Sequence, residues 1–573
     1  MLGAPTPLPS GPPRIGDKLV HWASTAGARP FLVERDTAGA WVATSYAETL
    51  AAVRALGQAL LDLGLGPARP LLLLSGNSVD HALLQLAGMH VGVPVSAVSP
   101  SYSLMSADCE KLKLLASELN PGAVYAEDGA AFAKACRALS LDVPHLVSRN
   151  PEAPARMGTY VRLVADAKRT VPTPDVDDAY ARTGPDTIAK VLFTSGSTGI
   201  PKGVVNTQRM LIANQEALHA GWPFLSERPP VLVEWLPWSH TFGGNLTFLS
   251  VLWHGGTFHV DTGKPAPGAF EQTLQNLRDV SPTVYFNVPR AYDMLVAVLE
   301  TDAALRDKFF AELDVLFYAA ASLSQSTWER LEEVSRRARG DVVTMLSGWG
   351  STETAPLATL GHFPVARAGV IGLPAGCELA LVPSGTKLEM RVKGPNVTPG
   401  YWRKGGHVEP IRADEHGFFA MGDAGRMEDD ADPTKGVVFD GRTAENFKLT
   451  SGTWVHTGEL RVQSLAACAP LVSDAVVTGH DREEVGLLLF VTPEAARVPD
   501  LAAELAARLA AFNTTRAGTS TRVSRALVLA EPPNIDAGEI TDKGYLNQRA
   551  ILERRAADVV RLYAGGDGVI RPG

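Results

Sequence analysis

The sequence has little of what metal sites, secretion, membrane insertion or nucleic-acid binding require. Its four cysteines lie far apart, at positions 109, 136, 377 and 468, which excludes paired metal ligands and predicts buried, reduced thiols of a cytoplasmic protein. No apolar run is long enough to cross a bilayer, and the proline-rich N-terminus lacks the pattern of a signal peptide. Lysine and arginine total 53 against 62 acidic residues, so nucleic acid is not expected as the main partner.

What is present is the composition of a large globular protein. The 573 residues are 45% hydrophobic and 20% charged, and this length predicts at least two domains. Up to about residue 350, apolar runs of strand length alternate with helical patterns, which indicates an α/β fold of doubly wound sheets with helices on both faces. Beyond Arg367, short apolar runs broken by Gly and Pro predict a β-rich subdomain. We therefore expect a large domain over residues 1–441 and a small α+β domain over residues 442–573.

A dense polar segment follows the buried strand that ends at Val191–Phe193. Glycines let a backbone approach a ligand closely, and free N–H groups, hydroxyls and a lysine donate to phosphate oxygens. A P-loop does not fit, because Pro201 precedes the lysine and no Ser or Thr follows it. A plain linker rarely places a lysine in so regular a frame. The segment predicts a phosphate-binding loop, with the sequence Thr194-Ser195-Gly196-Ser197-Thr198-Gly199-Ile200-Pro201-Lys202-Gly203.

A second glycine-rich segment follows the apolar run Val342–Leu346. Its threonine can donate to a phosphate, and its glutamate can hold Mg²⁺, a cation that prefers oxygen ligands. Taken alone, the segment is better interpreted as a glycine-rich turn with a solvated carboxylate. Its sequence is Gly348-Trp349-Gly350-Ser351-Thr352-Glu353.

The two segments, in this order, resemble the signatures of the adenylate-forming superfamily, which contains acyl-CoA synthetases, luciferases and the adenylation domains of peptide synthetases. The resemblance implies that residues 194–203 hold the β- and γ-phosphates of ATP and that Glu353, with Thr194, places Mg²⁺. It also implies that Thr352 and Lys202 bind the phosphates and that Trp349 stacks on adenine or forms a wall of the acyl pocket. Small residues are expected to lie against adenine at Ala319, Ala320 and Ala321. A tight helix–strand junction is the alternative for those alanines.

Later motifs extend the resemblance to nearly the whole chain. The pair Gly422-Asp423 matches the family's ribose-binding aspartate, and Asp440-Gly441-Arg442 matches the segment before the hinge of a mobile small domain. Asp423 is therefore expected to accept hydrogen bonds from ribose, and Arg442 to meet the ribose or the phosphates. Lys448 and Gly452 resemble a turn near the CoA tunnel.

The acid side of the site is expected after residue 233. Trp238–Gly244 resembles the family's aromatic motif, which implies that His240 lines the channel near the substrate carboxylate. A hydrogen-bonded core histidine is the alternative. Phe286–Arg290 is expected to supply another wall of the acyl pocket.

Two positions depart from the general family pattern. The hinge position after Arg442 is Ala444, followed by Glu445, where Asp or Lys is usual. The catalytic lysine normally follows a Ser-Gly pair, but Glu539 follows Gly538, and Lys543 comes four residues later. Lys543 is the candidate for the lysine that neutralises the forming acyl-phosphate.

Three stretches resemble feruloyl-CoA synthases, in which both departures are ordinary: Val233–Asn245, Glu445–Trp454 and Gly538–Tyr545. The resemblance implies an ATP-, Mg²⁺- and coenzyme A-dependent ligase for hydroxycinnamic acids such as ferulate, coumarate and caffeate, acting as a monomer or homodimer. The substrate carboxylate attacks the α-phosphate, and a thiol then displaces AMP. A ligase for a fatty or other aryl acid, and a non-catalytic nucleotide-binding relative, are the alternatives.

Overall fold

A computed structural model gives the fold of the chain. It describes every residue except 6, 7, 9, 10, 153–159, 195–200, 267, 444, 445, 517, 542–545 and 573. The predictions for Ser195, Gly196, Ser197, Thr198, Gly199, Ala444, Glu445 and Lys543 therefore lie outside the described residues. Residue contacts divide the chain into a larger unit (1–380, 391–421 and 427–438) and a smaller unit (381–390, 422–426 and 439–573).

The main sheet of the larger unit carries the predicted phosphate loop. From Ile188–Thr194 to one edge of the sheet, the strands are parallel to one another. From Ile188–Thr194 to the other edge, neighbouring strands are antiparallel. The buried run Leu71–Leu74 is a central strand, as its four consecutive leucines predict. In spatial order the strands are His407–Pro410, Gly400–Arg403, Lys202–Thr207, Ile188–Thr194, Val95–Val98, Leu71–Leu74, Ala123–Asp128, His145–Arg149 and Val161–Leu163.

A second sheet carries the other predicted signature, and a third completes the larger unit. The second begins with three parallel strands, Val284–Asn287, Val315–Tyr318 and Thr344–Gly350, and continues antiparallel through Leu357–Leu360 and Val370–Pro374. The third is Val231–Glu234, Thr257–Val260, Pro30–Arg35 and Trp41–Ser45. The predicted β-rich section is present as the strands Glu378–Ser384, Lys387–Lys393, Phe419–Met427 and Val437–Arg442.

Helices cover these sheets and begin where the sequence supplies caps. Ser45 and Glu48 form the predicted capping box, and Ser324 accepts from the backbone N–H of Thr327. The helices of the larger unit are Gly16–Thr25, Tyr46–Asp62, Val79–Val91, Ser101–Leu104, Glu110–Leu119, Ala133–Leu139, Val164–Ala167, Pro174–Arg182, Gln208–Gly221, Phe224–Glu227, Phe248–His254, Phe270–Asp279, Pro289–Leu299, Ala303–Phe310 and Gln325–Arg339. None of the helices in the described part of the chain is long and apolar enough to cross a membrane.

The smaller unit has its own sheet and its own core. A short hairpin, Phe447–Lys448 with Trp454–Val455, precedes a four-stranded sheet of Val472–Thr478, Val485–Val491, Val523–Val528 and Val569–Ile570. Its helices are Thr457–Cys468, Leu501–Thr514, Gln548–Arg554 and Ala556–Ala564. Leu505 and Leu509, predicted as the apolar stripe of a helix, are fully buried here. The expected α/β fold, with a large domain followed by a smaller α+β domain, is confirmed.

The four cysteines are free and buried, as their spacing predicts.

Candidate nucleotide and acid site

Two of the predicted motifs follow neighbouring parallel strands of the second sheet. Asn287 is opposite Tyr318, and Tyr318 is opposite Ser347. Residues 319–321 and 348–353 come directly after these positions, so they lie at the same carboxyl edge of the sheet. Open α/β sheets bind ligands at such edges.

The glycines of the second signature permit close packing rather than a loose turn. Gly348 and Gly350 lie in the strand Thr344–Gly350, so the interpretation of this segment as a glycine-rich turn is wrong. A Cβ atom at Gly348 would lie 3.0 Å from the ring of Phe317, and one at Gly350 would lie 1.7 Å from the carbonyl oxygen of Pro356. Trp349 between them is only 8% exposed. The indole of Trp349 is therefore largely covered by the protein's own packing.

Glu353 is held in place by its own turn. The hydroxyl of Ser351 accepts from the backbone N–H of Glu353 at 3.1 Å and donates to its carboxylate Oε2 at 2.8 Å. Thr352–Thr354 form one turn of 3₁₀-helix, in which Thr352 is buried and Glu353 is partly exposed. This arrangement fixes one carboxylate oxygen and leaves the group open to the surface.

Tyr401 joins Glu353 to the hairpin formed by Ile188–Thr194 and Lys202–Thr207, the phosphate hairpin. The sequence motifs do not identify Tyr401. The Tyr401 hydroxyl donates to Glu353 Oε1 at 3.4 Å, and the ammonium of Lys202 lies 5.1 Å from the centroid of the Tyr401 ring. Burial, followed by the neighbouring Glu353 carboxylate, raises the pKa of Tyr401. Lys202 and Glu353 therefore both contact Tyr401.

The donors at this place fit Mg²⁺ bound together with phosphates. In the described part of the chain, no group of three or more His, Cys, Asp or Glu side chains could hold a metal alone. Magnesium sites of nucleotide enzymes usually need only one or two carboxylates, with phosphates and water completing the shell. Glu353 suits that role. Thr194, the second predicted ligand, pairs with Lys202 across the phosphate hairpin.

The three alanines directly follow the strand Val315–Tyr318, which lies beside the strand Thr344–Gly350. The N–H of Ala319 donates to the carbonyl of Asn287 at 3.3 Å, while Ala320 and Ala321 are exposed. Ala320 has a φ of +74°, in the left-handed region that non-glycine residues rarely occupy. Strain of this kind concentrates at functional sites, which favours the ligand-facing interpretation over a plain junction.

The acid motif, as we name the predicted aromatic motif Trp238–Gly244, contains two tightly packed glycines. His240 is half-buried, and two residues later the chain enters a π-helix, Phe242–Thr247. A Cβ atom at Gly243 would lie 2.5 Å from the carbonyl oxygen of Leu236, and one at Gly244 would lie 2.2 Å from that of Trp238. Only glycine allows the helix to pack on this backbone. Short π-helical segments are frequent at functional sites.

An aromatic cluster links the acid motif to the nucleotide signature. The ring of Phe242 meets Phe286 and Phe317 edge to face, with centroids 6.3 and 6.0 Å apart. Phe317 in turn limits the space at Gly348. The predicted acid wall and the second signature are therefore in contact, and Phe286 is the member of the Phe286–Arg290 segment that reaches this cluster.

The predicted ribose residues and the predicted CoA residues form separate contacts, all within the smaller unit. Arg442 Nε lies 3.5 Å from Asp423 Oδ1, with the arginine largely exposed and the aspartate largely covered. Lys448 is exposed, and its ammonium lies 5.0 Å from the centroid of the Trp454 ring across a short hairpin. Gly452 has a φ of +80°, as a tight hairpin turn requires. Both pairs are formed within one unit.

Glu539, which replaces the family's usual lysine, has a structural role. Arg555 binds both of its carboxylate oxygens, at 2.8 and 2.7 Å, and the N–H of Asn534 donates to Oε2 at 2.9 Å. The same guanidinium donates to the carbonyls of Glu531 and Pro532, and the Arg555 bond dominates in lowering the pKa of Glu539. Ile540 and Leu546 then form an antiparallel bridge. The Glu539–Arg555 ion pair and the Ile540–Leu546 bridge thus hold the two ends of the segment that contains Lys543.

Removing Arg555 should destabilise the smaller unit. Arg555→Met leaves a covered carboxylate without its partner, and we expect a loss of about 3 kcal/mol in the free energy of unfolding of this unit. Hydrogen exchange in the strands Val472–Thr478 and Val485–Val491 measures it. The control is Arg554→Met, because Arg554 is its neighbour but is 57% exposed and 4.0 Å from Glu539. Equal effects of the two substitutions would contradict a structural role for the Glu539–Arg555 pair.

Two family profiles match most of the chain. The profile of AMP-binding enzymes matches residues 19–402, and that of the AMP-binding enzyme C-terminal domain matches residues 456–567. A long-chain-fatty-acid–CoA ligase of Mycobacterium bovis is 24% identical over 92% of this chain and 93% of its own. A probable 4-coumarate–CoA ligase of Dictyostelium discoideum is 27% identical over 52% of each chain.

Solved structures share the fold. The adenylation domain of a carboxylate reductase from Mycobacterium chelonae superimposes with a TM-score of 0.74 at 21% identity, covering 97% of this chain and 92% of that one. ATP-bound MatB from Rhodopseudomonas palustris gives a TM-score of 0.67 at 20% identity, covering 95% and 99%.

Proposed function

The chain belongs to the AMP-binding enzyme family, and we propose that it joins a hydroxycinnamic acid to coenzyme A, as a feruloyl-CoA synthase does. ATP-dependent ligation of a carboxylic acid is the activity that its relatives support. Four free thiols, all buried, suit a reducing compartment such as the cytoplasm. The choice of acid, the residue roles and the location are parts of the proposal.

The first half-reaction gathers negative charge in one place. A carboxylate oxygen of the acid forms a bond to the α-phosphorus of ATP, and the bond to the β-phosphate oxygen breaks, releasing pyrophosphate. Lys202 faces the departing phosphates, Thr352 donates to the α-phosphate, and Lys543 neutralises the forming acyl-phosphate. Mg²⁺, when bound at Glu353, neutralises further phosphate charge.

The second half-reaction transfers the acyl group. The thiol sulfur of coenzyme A forms a bond to the acyl carbon, its proton leaves, and the bond to AMP breaks. In this proposal Lys448, which is exposed beside Trp454, meets the anionic part of coenzyme A. Asp423 and Arg442 hold the ribose of the nucleotide through both steps.

The observation that carries the choice of acid is the ring of Phe242, which is partly exposed and is backed by the buried rings of Phe286 and Phe317. A ring held in place in this way suits contact with a planar aryl group better than contact with a flexible chain. Among the described residues, Ser239 Oγ and Asn245 Oδ1 are buried without a hydrogen-bond partner. Buried polar groups of this kind favour a ligand with hydroxyl groups, because an apolar chain would leave them unpaired.

Two alternatives have support of their own. The fatty-acid ligase relative spans nearly the whole chain, so a fatty acid is the second candidate substrate. A non-catalytic relative is motivated by the missing lysine at Glu539. The ion pair with Arg555 weakens that motive, because it gives the glutamate a purpose unrelated to lost chemistry.

A panel of acids should separate these possibilities. With ATP, Mg²⁺ and coenzyme A present, ferulate, coumarate and caffeate should give the highest kcat/KM, at least about 100-fold above palmitate and decanoate, since mismatched polar contacts cost factors of this size or more. AMP release and thioester formation are measured separately. Higher kcat/KM for the fatty acids would overturn the choice of acid, and absence of turnover with every acid would favour the non-catalytic alternative.

A further inference from the structure

One face of the phosphate hairpin carries two polar pairs. The strands Ile188–Thr194 and Lys202–Thr207 are antiparallel, with Thr194 opposite Lys202 at the loop end and Lys190 opposite Asn206 further down. Side chains alternate along a strand and opposite residues share a face, so both pairs point to the same side of the sheet. The upper pair belongs to the predicted nucleotide site. The lower pair is buried and lies in none of the motifs.

Lys190 reaches the π-helix. Its side chain is 2% exposed, and its ammonium donates to the carbonyl of Gly244 at 2.6 Å. Burial lowers the pKa of Lys190 to about 7. Placing an ammonium in such surroundings is costly, and a hydrophobic residue would fill a central strand at less cost. The contact with Gly244 is what the lysine provides in return.

Asn206 reaches the same helix one residue on. It is fully buried, its Oδ1 accepts from Asn245 Nδ2 at 2.6 Å, and its Nδ2 donates to the carbonyl of Thr352 at 3.4 Å. Asn245 Nδ2 also donates to the hydroxyl of Thr241 at 3.0 Å. One amide therefore joins the acid motif to the turn that carries Glu353.

We propose that Lys190 and Asn206 are positioning residues that hold the π-helix Phe242–Thr247 in one register against the phosphate hairpin, and so set where the acid meets ATP. This inference rests on the proposed function. A π-helix differs from an α-helix by one extra residue in a turn, and losing that residue rotates what precedes it by about 100°. Such a change would displace His240 and Phe242. Misplacing a reactant by about 1 Å can cost about 100-fold in rate.

Lys190→Met tests this positioning role, because it keeps the length of the side chain and removes its hydrogen-bond donor. We expect KM for the acid to rise at least about 10-fold and kcat/KM for the acid to fall about 100-fold, while KM for ATP changes less than about 3-fold. Asn206→Ala should act in the same direction, and it decides the question if Lys190→Met does not fold. The control is Val205→Ala, on the opposite face of the same hairpin.

Hydrogen exchange tests the positioning role of Lys190 and Asn206 without any substrate. In Lys190→Met and in Asn206→Ala, amides of Phe242–Thr247 should exchange at least about 10-fold faster than in the wild type, and Val205→Ala should leave them unchanged. If the wild type turns over no acid, the proposed function falls while exchange still decides the positioning role. Unchanged exchange at the π-helix in both variants, or equal rises in KM for ATP and for the acid, would overturn the inference.

Discussion

Replacing Glu353 by glutamine should slow adenylate formation by about 100- to 1,000-fold, the usual loss when one preorganised charge-stabilising group is removed from a reacting centre. Glutamine keeps the shape of the side chain: its one oxygen accepts from either Ser351 or Tyr401, and its amide NH2 donates to the other hydroxyl, so the turn should survive. What disappears is the negative charge that would hold Mg²⁺ at the phosphates. Pyrophosphate release in a single turnover measures the step, and the Mg²⁺ concentration for half-maximal rate should rise.

The matched control for this substitution is Glu333→Gln. Glu333 is exposed on the helix Gln325–Arg339, where it pairs with Arg337. Its replacement should leave pyrophosphate release unchanged within about 2-fold, as is usual for an exposed ion pair. If Glu353→Gln behaves like this control, Glu353 does not serve the phosphates.

The second large effect is expected from Lys543→Ala, and it should be confined to one half-reaction. Adenylate formation should slow by about 100- to 1,000-fold, because a full charge opposite the forming acyl-phosphate is lost. Thioester formation from a supplied acyl-adenylate should change less than about 3-fold. The two rates are measured as pyrophosphate release and as thioester appearance.

The chain offers a reciprocal control for this experiment. Lys448 and Lys543 are the two lysines of the sequence after residue 439. Lys448→Ala removes the same charge from the expected coenzyme A side, so it should slow thioester formation and leave adenylate formation intact. Equal slowing of both half-reactions by Lys543→Ala would show that Lys543 is not the adenylation lysine.

The sequence predicts best the contacts that are local. The turn at Glu353 brings its polar groups together within a few residues, next to an apolar run that identifies the strand. The phosphate loop after Thr194 lies outside the described residues and stays a prediction. Glu353 accepts from Ser351 two residues away, a contact within its own turn. The same holds for the helix caps at Ser45 and Ser324. In these cases the interacting groups are neighbours along the chain.

The parts that sequence reasoning missed depend on register between distant strands. Tyr401 reaches Glu353 because Gly400–Arg403 pairs with Lys202–Thr207, and nothing near residue 401 indicates that pairing. Lys190 is a charged residue in a strand whose π-helical partner lies more than fifty residues on, where the sequence alone reads as aromatic and glycine-rich. Glu539 was read as a missing lysine, since its partner Arg555 belongs to a later helix boundary.

The placement of the four thiols bears on product fidelity. An acyl-adenylate acylates thiolates readily, so a protein that makes one risks labelling itself. Burial raises the pKa of Cys136 to about 11, of Cys377 to about 12 and of Cys468 to about 11, which keeps these groups protonated near neutral pH. Cys109 is buried as well. The protein's own sulfurs are therefore poor acceptors for an activated acyl group.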